Sequence, residues 1–370
     1  MPSFKPTEAW EASPHTLAKL EIISRYLFLW FTIRSSNSKL NYIDGFAGPG
    51  HYTNTPKGSP IIALDVAKQV ATSGDEKLRN TEIGFLFVEK NPDFAANLKD
   101  TVGAMSLPPN FKWDVQQGSF EEKVGGLLEM FKQQGKLLAP TFAFIDPFGA
   151  TGLPFAVVAE ILKRQGCEVL LNLDSDGIGR LVTAQNIEKN QSHLDALFGD
   201  SSWRSELNPK APTKLPSQVL ALYKKKLKTV VPYVFAFAMN SRGGQLNYHL
   251  VFATHHPLGL EKMKDAMKAV DQTGAYSFSD DTVGQEMLRF DFNEHAVWAE
   301  RMERALAGKW RPYADFRDYA LNETPFTNPK SMLRELDGRG VLNVEAKPGR
   351  KKGSFPEDKI ERIFINETLL

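Results

Sequence analysis

The stretch Leu40-Asn41-Tyr42-Ile43-Asp44 runs without a break into Gly45-Phe46-Ala47-Gly48-Pro49-Gly50. The first five residues, largely apolar and bounded by a glycine-rich turn, read as a strand. Glycines after a strand let the backbone turn sharply and approach a bound molecule with no Cβ in the way. In open α/β sheets ligands bind outside the carboxyl ends of the strands. Asp44 therefore stands where an acidic side chain can hold an amino group or hydroxyls. Gly48 and Gly50 keep the spacing of an acidic-x-Gly-x-Gly-x-Gly turn, while Phe46 takes the place of its first glycine. Gly45 and Ala47 complete the expected ligand loop. Taken alone, the segment can also be read as a tight strand-to-helix turn with no ligand.

The neighbouring sequence favours the ligand loop. Ser13-Pro14 is a helix start, and Leu17, Leu20, Ile23, Leu27 and Trp30 follow at helical spacing. Downstream, strands are expected to end at Glu89, before Gly118-Ser119-Phe120, at Asp146 and at Asp174. Most are continuous hydrophobic runs, as in strands buried on both faces, and helical stretches separate them. Pro232–Asn240 and Asn247–His255, joined by the short link SRGGQL, predict a terminal hairpin. That hairpin puts one antiparallel strand into a parallel sheet. Dehydrogenase-type dinucleotide folds do not usually end this way, whereas the class I (Rossmann-like) S-adenosylmethionine-dependent methyltransferase fold does. The polar, proline-punctuated stretch 177–231 reads as a helical insertion. The expected organisation is a Rossmann-like α/β domain over 1–305 and a winged-helix-like domain over 306–370. In the latter, two helices precede two strands around the basic turn Arg350-Lys351-Lys352.

Composition narrows the classes. The 370 residues carry 45 Lys+Arg against 44 Asp+Glu, which argues against a broad basic field that coats nucleic acid. A single cysteine, Cys167, excludes a disulfide framework and a cysteine-based metal site within the chain. The longest apolar run, Tyr26 to Ile33, is too short to span a bilayer, and MPSFKPTEAW lacks the pattern of a signal peptide. The expectation is a cytoplasmic protein with no membrane contact.

Four strand ends carry the candidate chemistry. Glu89 is placed to accept both hydroxyls of an adenosine ribose, although it lies 45 residues after Asp44 where about 20 is usual. The intervening Gly58-Ser59-Pro60 offers Ser59 as a ligand contact or a helix cap. Gly118-Ser119-Phe120 is a candidate clamp for an adenine ring, or an ordinary turn. Asp146-Pro147-Phe148-Gly149 sits where a transferring methyl group would meet its acceptor. Asp/Asn-Pro-Pro-aromatic segments at that place orient exocyclic amines by hydrogen bonds and stacking. Here one proline is missing and the aromatic comes one position early. His15, Thr16 and Lys19 read as a solvated helix face, as do Lys224 to Lys228. His255-His256 lacks a third ligand at metal spacing.

The set His15–Leu20 (HTLAKL), Asn41–Tyr52 (NYIDGFAGPGHY) with Gly58-Ser59-Pro60, Phe144–Gly149 (FIDPFG) and His249–Met267 (HLVFATHHPLGLEKMKDAM) resembles the three-Cys-motif partner proteins, TcmP. The resemblance covers nearly the whole chain. It implies an S-adenosylmethionine-dependent methyltransferase-like protein, with a separate three-cysteine-motif, radical-S-adenosylmethionine-like protein encoded nearby as partner. Tyr42–Tyr52 is also similar, more remotely, to ribosomal RNA adenine-N6 methyltransferases. The resulting expectation is a methyltransferase that binds S-adenosyl-L-methionine through Asp44, Gly45, Phe46, Ala47, Gly48, Gly50, Ser59, Glu89, Gly118, Ser119, Phe120 and Asp146. Asp146, Pro147 and Phe148 would face the acceptor, with DNA or RNA as a candidate partner of the tail. The alternatives are a non-catalytic scaffold that docks the three-cysteine protein, and a DNA-binding regulator.

Overall fold

The computed structural model describes residues 11–54, 57–73, 76–185, 187–241, 245–271, 277–279 and 294–366. Two units divide the chain, Met1–Glu286 and Met287–Leu370.

The first unit is built on an eight-stranded sheet: β1 (Lys39–Asp44), β2 (Glu82–Glu89), β3 (Phe111–Gln117), β4 (Thr141–Ile145), β5 (Glu168–Leu173), β6 (Tyr233–Asn240), β7 (Leu246–Thr254) and β8 (Ser277–Ser279). Their order is β3-β2-β1-β4-β5-β7-β6-β8. β1 to β5 pair in parallel, and β7 runs antiparallel between β5 and β6. This is the mostly parallel sheet with a terminal antiparallel hairpin expected of the class I methyltransferase-like fold. β8, which pairs parallel with β6, had no counterpart in the sequence reading. The middle of the hairpin link, 242–244, lies outside the described residues.

Helices cover both faces. They are α1 (Pro14–Arg34), α2 (Ser59–Thr72), α3 (Glu76–Arg79), α4 (Pro92–Gly103), α5 (Gly126–Gln133), α6 (Phe155–Leu162), α7 (Ser175–Thr183), α8 (Gln191–Phe198), α9 (Trp203–Glu206), α10 (Leu215–Leu227) and α11 (Pro257–Val270). Ser13 caps α1 by accepting the Thr16 amide, and Pro14 opens the helix as the sequence predicts. Leu20, Ile23, Leu27 and Trp30 are buried, but Leu17 is 43% exposed, so the apolar stripe begins one turn later than expected. On this face Tyr26 packs against Phe142 and Phe252, and Tyr42 stacks on Phe142. On the other face, Ile178, Leu194, Phe198, Leu222 and Tyr223 join Ile145, Val169 and Leu171 in one core. The stretch read as an insertion is therefore the helical layer of that face. Its apolar positions are spaced for burial, and its polar, proline-broken look comes from the solvent side and the turns.

The second unit holds α12 (Glu294–Leu306), β9 (Arg311–Pro312), α13 (Tyr313–Glu323), α14 (Lys330–Gly338), β10 (Leu342–Ala346) and β11 (Ile360–Ile365). Its strands form an antiparallel sheet in the order β10-β11-β9. Ala299 and Met302 of α12 pack with Phe316, Leu333 and Leu336 in this unit's own core. That packing accounts for a unit boundary 19 residues before the position 306 drawn from sequence.

Candidate active site

The glycine loop follows β1 directly. Asp44, its last residue, is fully buried. Its carboxylate accepts from the Tyr42 hydroxyl and the Phe46 amide at 3.3 Å each. The Ser59 hydroxyl also bonds to it. Burial pushes the Asp44 carboxyl up to about 7; the bonds from Ser59, Phe46 and Tyr42 oppose that rise, and the Asp146 charge adds to it. Ser59 thus serves as a contact to Asp44, while Gly58 occupies the cap position of α2. Gly48 has φ +63°, and its amide donates to Glu89 Oε2 at 2.8 Å. The Ala47 amide donates to the Val88 carbonyl. Gly50, at φ +85°, lies so near Leu98 that a Cβ would come within 2.8 Å, and its carbonyl accepts the Gly58 amide. Gly50 therefore packs the loop down on α2 and α4.

Glu89 ends β2. Its carboxylate takes the Gly48 amide on one oxygen and the Asn91 amide, at 2.7 Å, on the other. A cavity of about 310 Å³ opens beside it, lined by Gly45, Phe46, Glu89, Gly118, Ser119, Phe120 and Phe148 among others. This is at the small end of the roughly 300–1,000 Å³ of small-molecule sites. The rings of Phe46 and Phe120 lie 5.9 Å apart and tilted by 31°. A Cβ on Gly45 would come within 2.6 Å of the Phe120 ring, so only glycine fits there. Ser119 accepts the Glu122 amide and thereby starts the turn that follows β3. Asp44, Ala47, Gly48, Gly50 and Ser59 stand behind this lining as its support.

Asp146 follows β4. The Lys19 ammonium of α1 lies 2.5 Å from Asp146 Oδ2, and Asn172 of β5 donates to Oδ1 at 2.8 Å. Lys19 is 9% exposed and His15 6%, against the solvated helix face expected for them. Lys19 also sits 5.1 Å above the Tyr248 ring, and His15 lies near Asn247, Tyr248 and Phe278. The hydroxyl of Ser175 meets His249 Nδ1 at 3.0 Å, and burial, with the Lys224 charge, brings that imidazole down to about 4. Sequence reasoning missed Asn172, Ser175 and Tyr248, because each lies in a strand or helix start with no motif around it; His249 opens a stretch that carries the resemblance, but nothing there marked it as a site residue. Phe148 is 77% exposed at the mouth of the cavity.

The remaining candidates have structural roles. His256 caps α11 by accepting the Leu258 amide, and the His255 ring bonds to the Leu162 carbonyl. Lys225 and Lys226 pair with Glu206 and Asp200. Burial pushes the Cys167 thiol up to about 11. Among the described residues no helix is long and apolar enough to cross a membrane.

No protein-family model and no curated protein matches the chain. Solved structures do. An O-methyltransferase from Bacillus cereus in complex with S-adenosylhomocysteine is 13% identical, at a TM-score of 0.34, over 62% of this chain and 80% of that one. A Klebsiella pneumoniae protein assigned as an O-methyltransferase is 11% identical, at 0.33, over 66% of this chain and 91% of that one. A Porphyromonas gingivalis protein assigned as a methyltransferase is 11% identical, at 0.29, over 64% of this chain; the match spans only 41% of that protein's length.

Proposed function

We propose that this chain is an S-adenosylmethionine-dependent methyltransferase. The observation that carries the reading is the cavity lined by Glu89, Gly45, Phe46, Gly118 and Phe120, backed by Asp44 and the rest of the glycine turn, at the point where the strand order reverses. β1 continues outward to β2 on one side and to β4 on the other. Such a switch point opens a crevice at the carboxyl ends of the strands. The crevice fits the cofactor in charge as well as shape. Glu89 and Asp146 bring two carboxylates, with the buried Asp44 behind them, and Lys19 one cation, which suits a ligand bearing an ammonium, a sulfonium and a carboxylate.

When bound, S-adenosylmethionine supplies an electrophilic methyl group on its sulfur. Glu89 would take the ribose hydroxyls on the lone pairs its backbone bonds leave free, and Phe46, Gly118 and Phe120 would hold the adenine. Asp146 would meet a positive group, and Asp44, bonded to Tyr42, Phe46 and Ser59, would hold the loop in place behind it. Asp146, Pro147 and Phe148 face the acceptor. Calorimetry with S-adenosylmethionine and with S-adenosylhomocysteine tests the reading. The expected outcome is binding to the native chain that weakens at least about tenfold in Asp44→Ala, since the loop that lines the cavity loses the side chain whose bonds to Tyr42, Phe46 and Ser59 hold it. Absence of binding to the native chain, or unchanged binding to the variant, ends it.

The C-terminal unit is assigned a docking role of the winged-helix type. Lys330 and Arg334, one turn apart on α14, and Lys351 and Lys352 on the β10–β11 turn are all exposed. Such cations can hold phosphates, and binding to a nucleic acid through them must weaken as salt rises. A mobility shift on duplex DNA and on RNA over a salt series tests this. Capture of a three-cysteine-motif protein with no nucleic-acid shift would favour the scaffold alternative.

A further inference from the structure

The polar centre around Asp146 carries an inference about the acceptor atom, one that rests on the methyltransferase reading. Both oxygens of Asp146 already accept a hydrogen, one from Lys19 and one from Asn172. Lys19 has three N–H donors and no acceptor, so its bond to Asp146 leaves donors for an incoming group. The bond to Asp146 also fixes the orientation of the Asn172 amide. Its nitrogen faces the carboxylate, and its Oδ1 is buried with no hydrogen-bond partner. Buried acceptors are rarely left so, because the unmade bond is unfavourable. The centre therefore offers an incoming group a cationic donor and an unfilled acceptor.

A hydroxyl complements that pair. It gives its hydrogen to a carbonyl oxygen and takes hydrogens on its lone pairs. An amino group on an aromatic ring does not, since both its hydrogens are donors and its lone pair is drawn into the ring. It would face Lys19 donor to donor. We propose that the methyl acceptor is a hydroxyl oxygen of the phenol or enol type. Asn172 Oδ1 receives its hydrogen on arrival, and Lys19 holds the oxygen once it is ionised. A neighbouring cation favours the charged form of such a group. The Asp146 side chain is 22% exposed, which gives the departing proton a way to solvent. Phe148, exposed beside Pro147, offers an aromatic face to the acceptor's ring.

The transfer balances with a sulfonium methyl donor. The proton leaves to solvent, and an oxygen lone pair forms the new O–C bond. The S–C bond breaks with its electron pair going to sulfur. The acceptor anion becomes a neutral methyl ether, and the sulfonium becomes a neutral thioether. The Lys19–Asp146 pair is unchanged at the end.

The test compares 4-nitrophenol with 4-nitroaniline, which differ in shape only by hydroxyl against amino group. Each is titrated by absorbance into the full chain saturated with S-adenosylhomocysteine. The expected result is a preference of about tenfold or more for the phenol, bound as its anion, since a bond to a charged donor contributes on that scale. Lys19→Met removes the preference and Lys19→Arg retains most of it. Asn172→Leu weakens the phenol at a pH where it enters protonated. Equal or tighter binding of the aniline overturns the proposal and favours an amine acceptor. So does an unchanged preference in folded Lys19→Met, and so does binding of neither probe to protein that binds S-adenosylhomocysteine. Failure to bind S-adenosylhomocysteine at all is a different result and counts against the methyltransferase reading itself.

Discussion

On the Glu89 side of the crevice the chain presents backbone. Amides of Gly48 and Asn91 converge on one carboxylate, and glycine at position 45 lets the Phe120 ring close up. On the Asp146 side it presents side chains, and these come from α1, the end of β4, β5 and β7, with Lys19 and its partner 127 positions apart. The first side is a property of short contiguous segments. The second exists only once α1 has packed across the sheet. The difference predicts that substitutions on the Glu89 side damage fold and ligand binding together, whereas those on the Asp146 side separate them.

The largest effect is expected from Glu89→Ala. It leaves the Gly48 and Asn91 amides without an acceptor in a region that is 8% exposed at Glu89. Hydrogen bonds to a charged group contribute about 1.5–3 kcal/mol each. Chemical denaturation should show a loss of about 3 kcal/mol, with cofactor binding abolished in the same variant. A variant of native stability that merely binds less tightly would mean the loop holds its shape without Glu89, and the contrast between the two sides would fail.

Asp44→Asn is next and has the opposite sign for stability. The folded protein keeps a proton on Asp44 up to about pH 7, while the unfolded chain releases it near 3.8. The folded form therefore binds more protons across that window, and stability from this group is full below about pH 4 and lost as pH rises to 7. Asparagine keeps the shape and carries no charge to bury. At about 1.4 kcal/mol for each pH unit the variant should be more stable than the native protein by roughly 2–4 kcal/mol at pH 8 and by much less at pH 5. Urea unfolding at the two values checks this. A gain independent of pH would mean that Asp44 is not the titrating group. Cofactor binding should nonetheless weaken, since the bonds that Asp44 accepts from Tyr42, Phe46 and Ser59 hold the loop that lines the cavity.

The same contrast explains what was legible in the sequence. Asp44 and Glu89 end strands and Gly118 and Asp146 follow them directly, and most of those strands are hydrophobic runs plain to read, so both the sheet and the cavity lining follow from local pattern. His15, Thr16 and Lys19 are all polar, so local pattern alone places Lys19 on a solvated face. Only the packing of Tyr26 and Trp30 on the sheet turns that side of α1 inward. Asn172 and Tyr248 sit inside strands, where one polar residue in an apolar run has no signature of its own. The start of the second unit was misplaced for a similar reason. Nothing local says that Ala299 and Met302 pack with the helices after them.

The smallest effect on stability is expected from Asn172→Leu, and it separates the two sides most cleanly. The substitution removes the bond to Asp146 Oδ1, a loss of about 1 kcal/mol or somewhat more for a charged acceptor. It also removes a buried carbonyl that has no partner and puts apolar volume in its place, which is favourable by a similar amount. Asp146 keeps Lys19, so no charge is left alone. The two terms nearly cancel, and thermal unfolding should shift by only a few degrees, with cofactor affinity within a factor of about three of the native value. If the variant unfolds as readily as Glu89→Ala, then Asn172 is part of the framework and the Asp146 side is no more separable than the other. If it is stable and binds cofactor but no longer holds a phenolic probe, then the orphaned oxygen is kept for the acceptor.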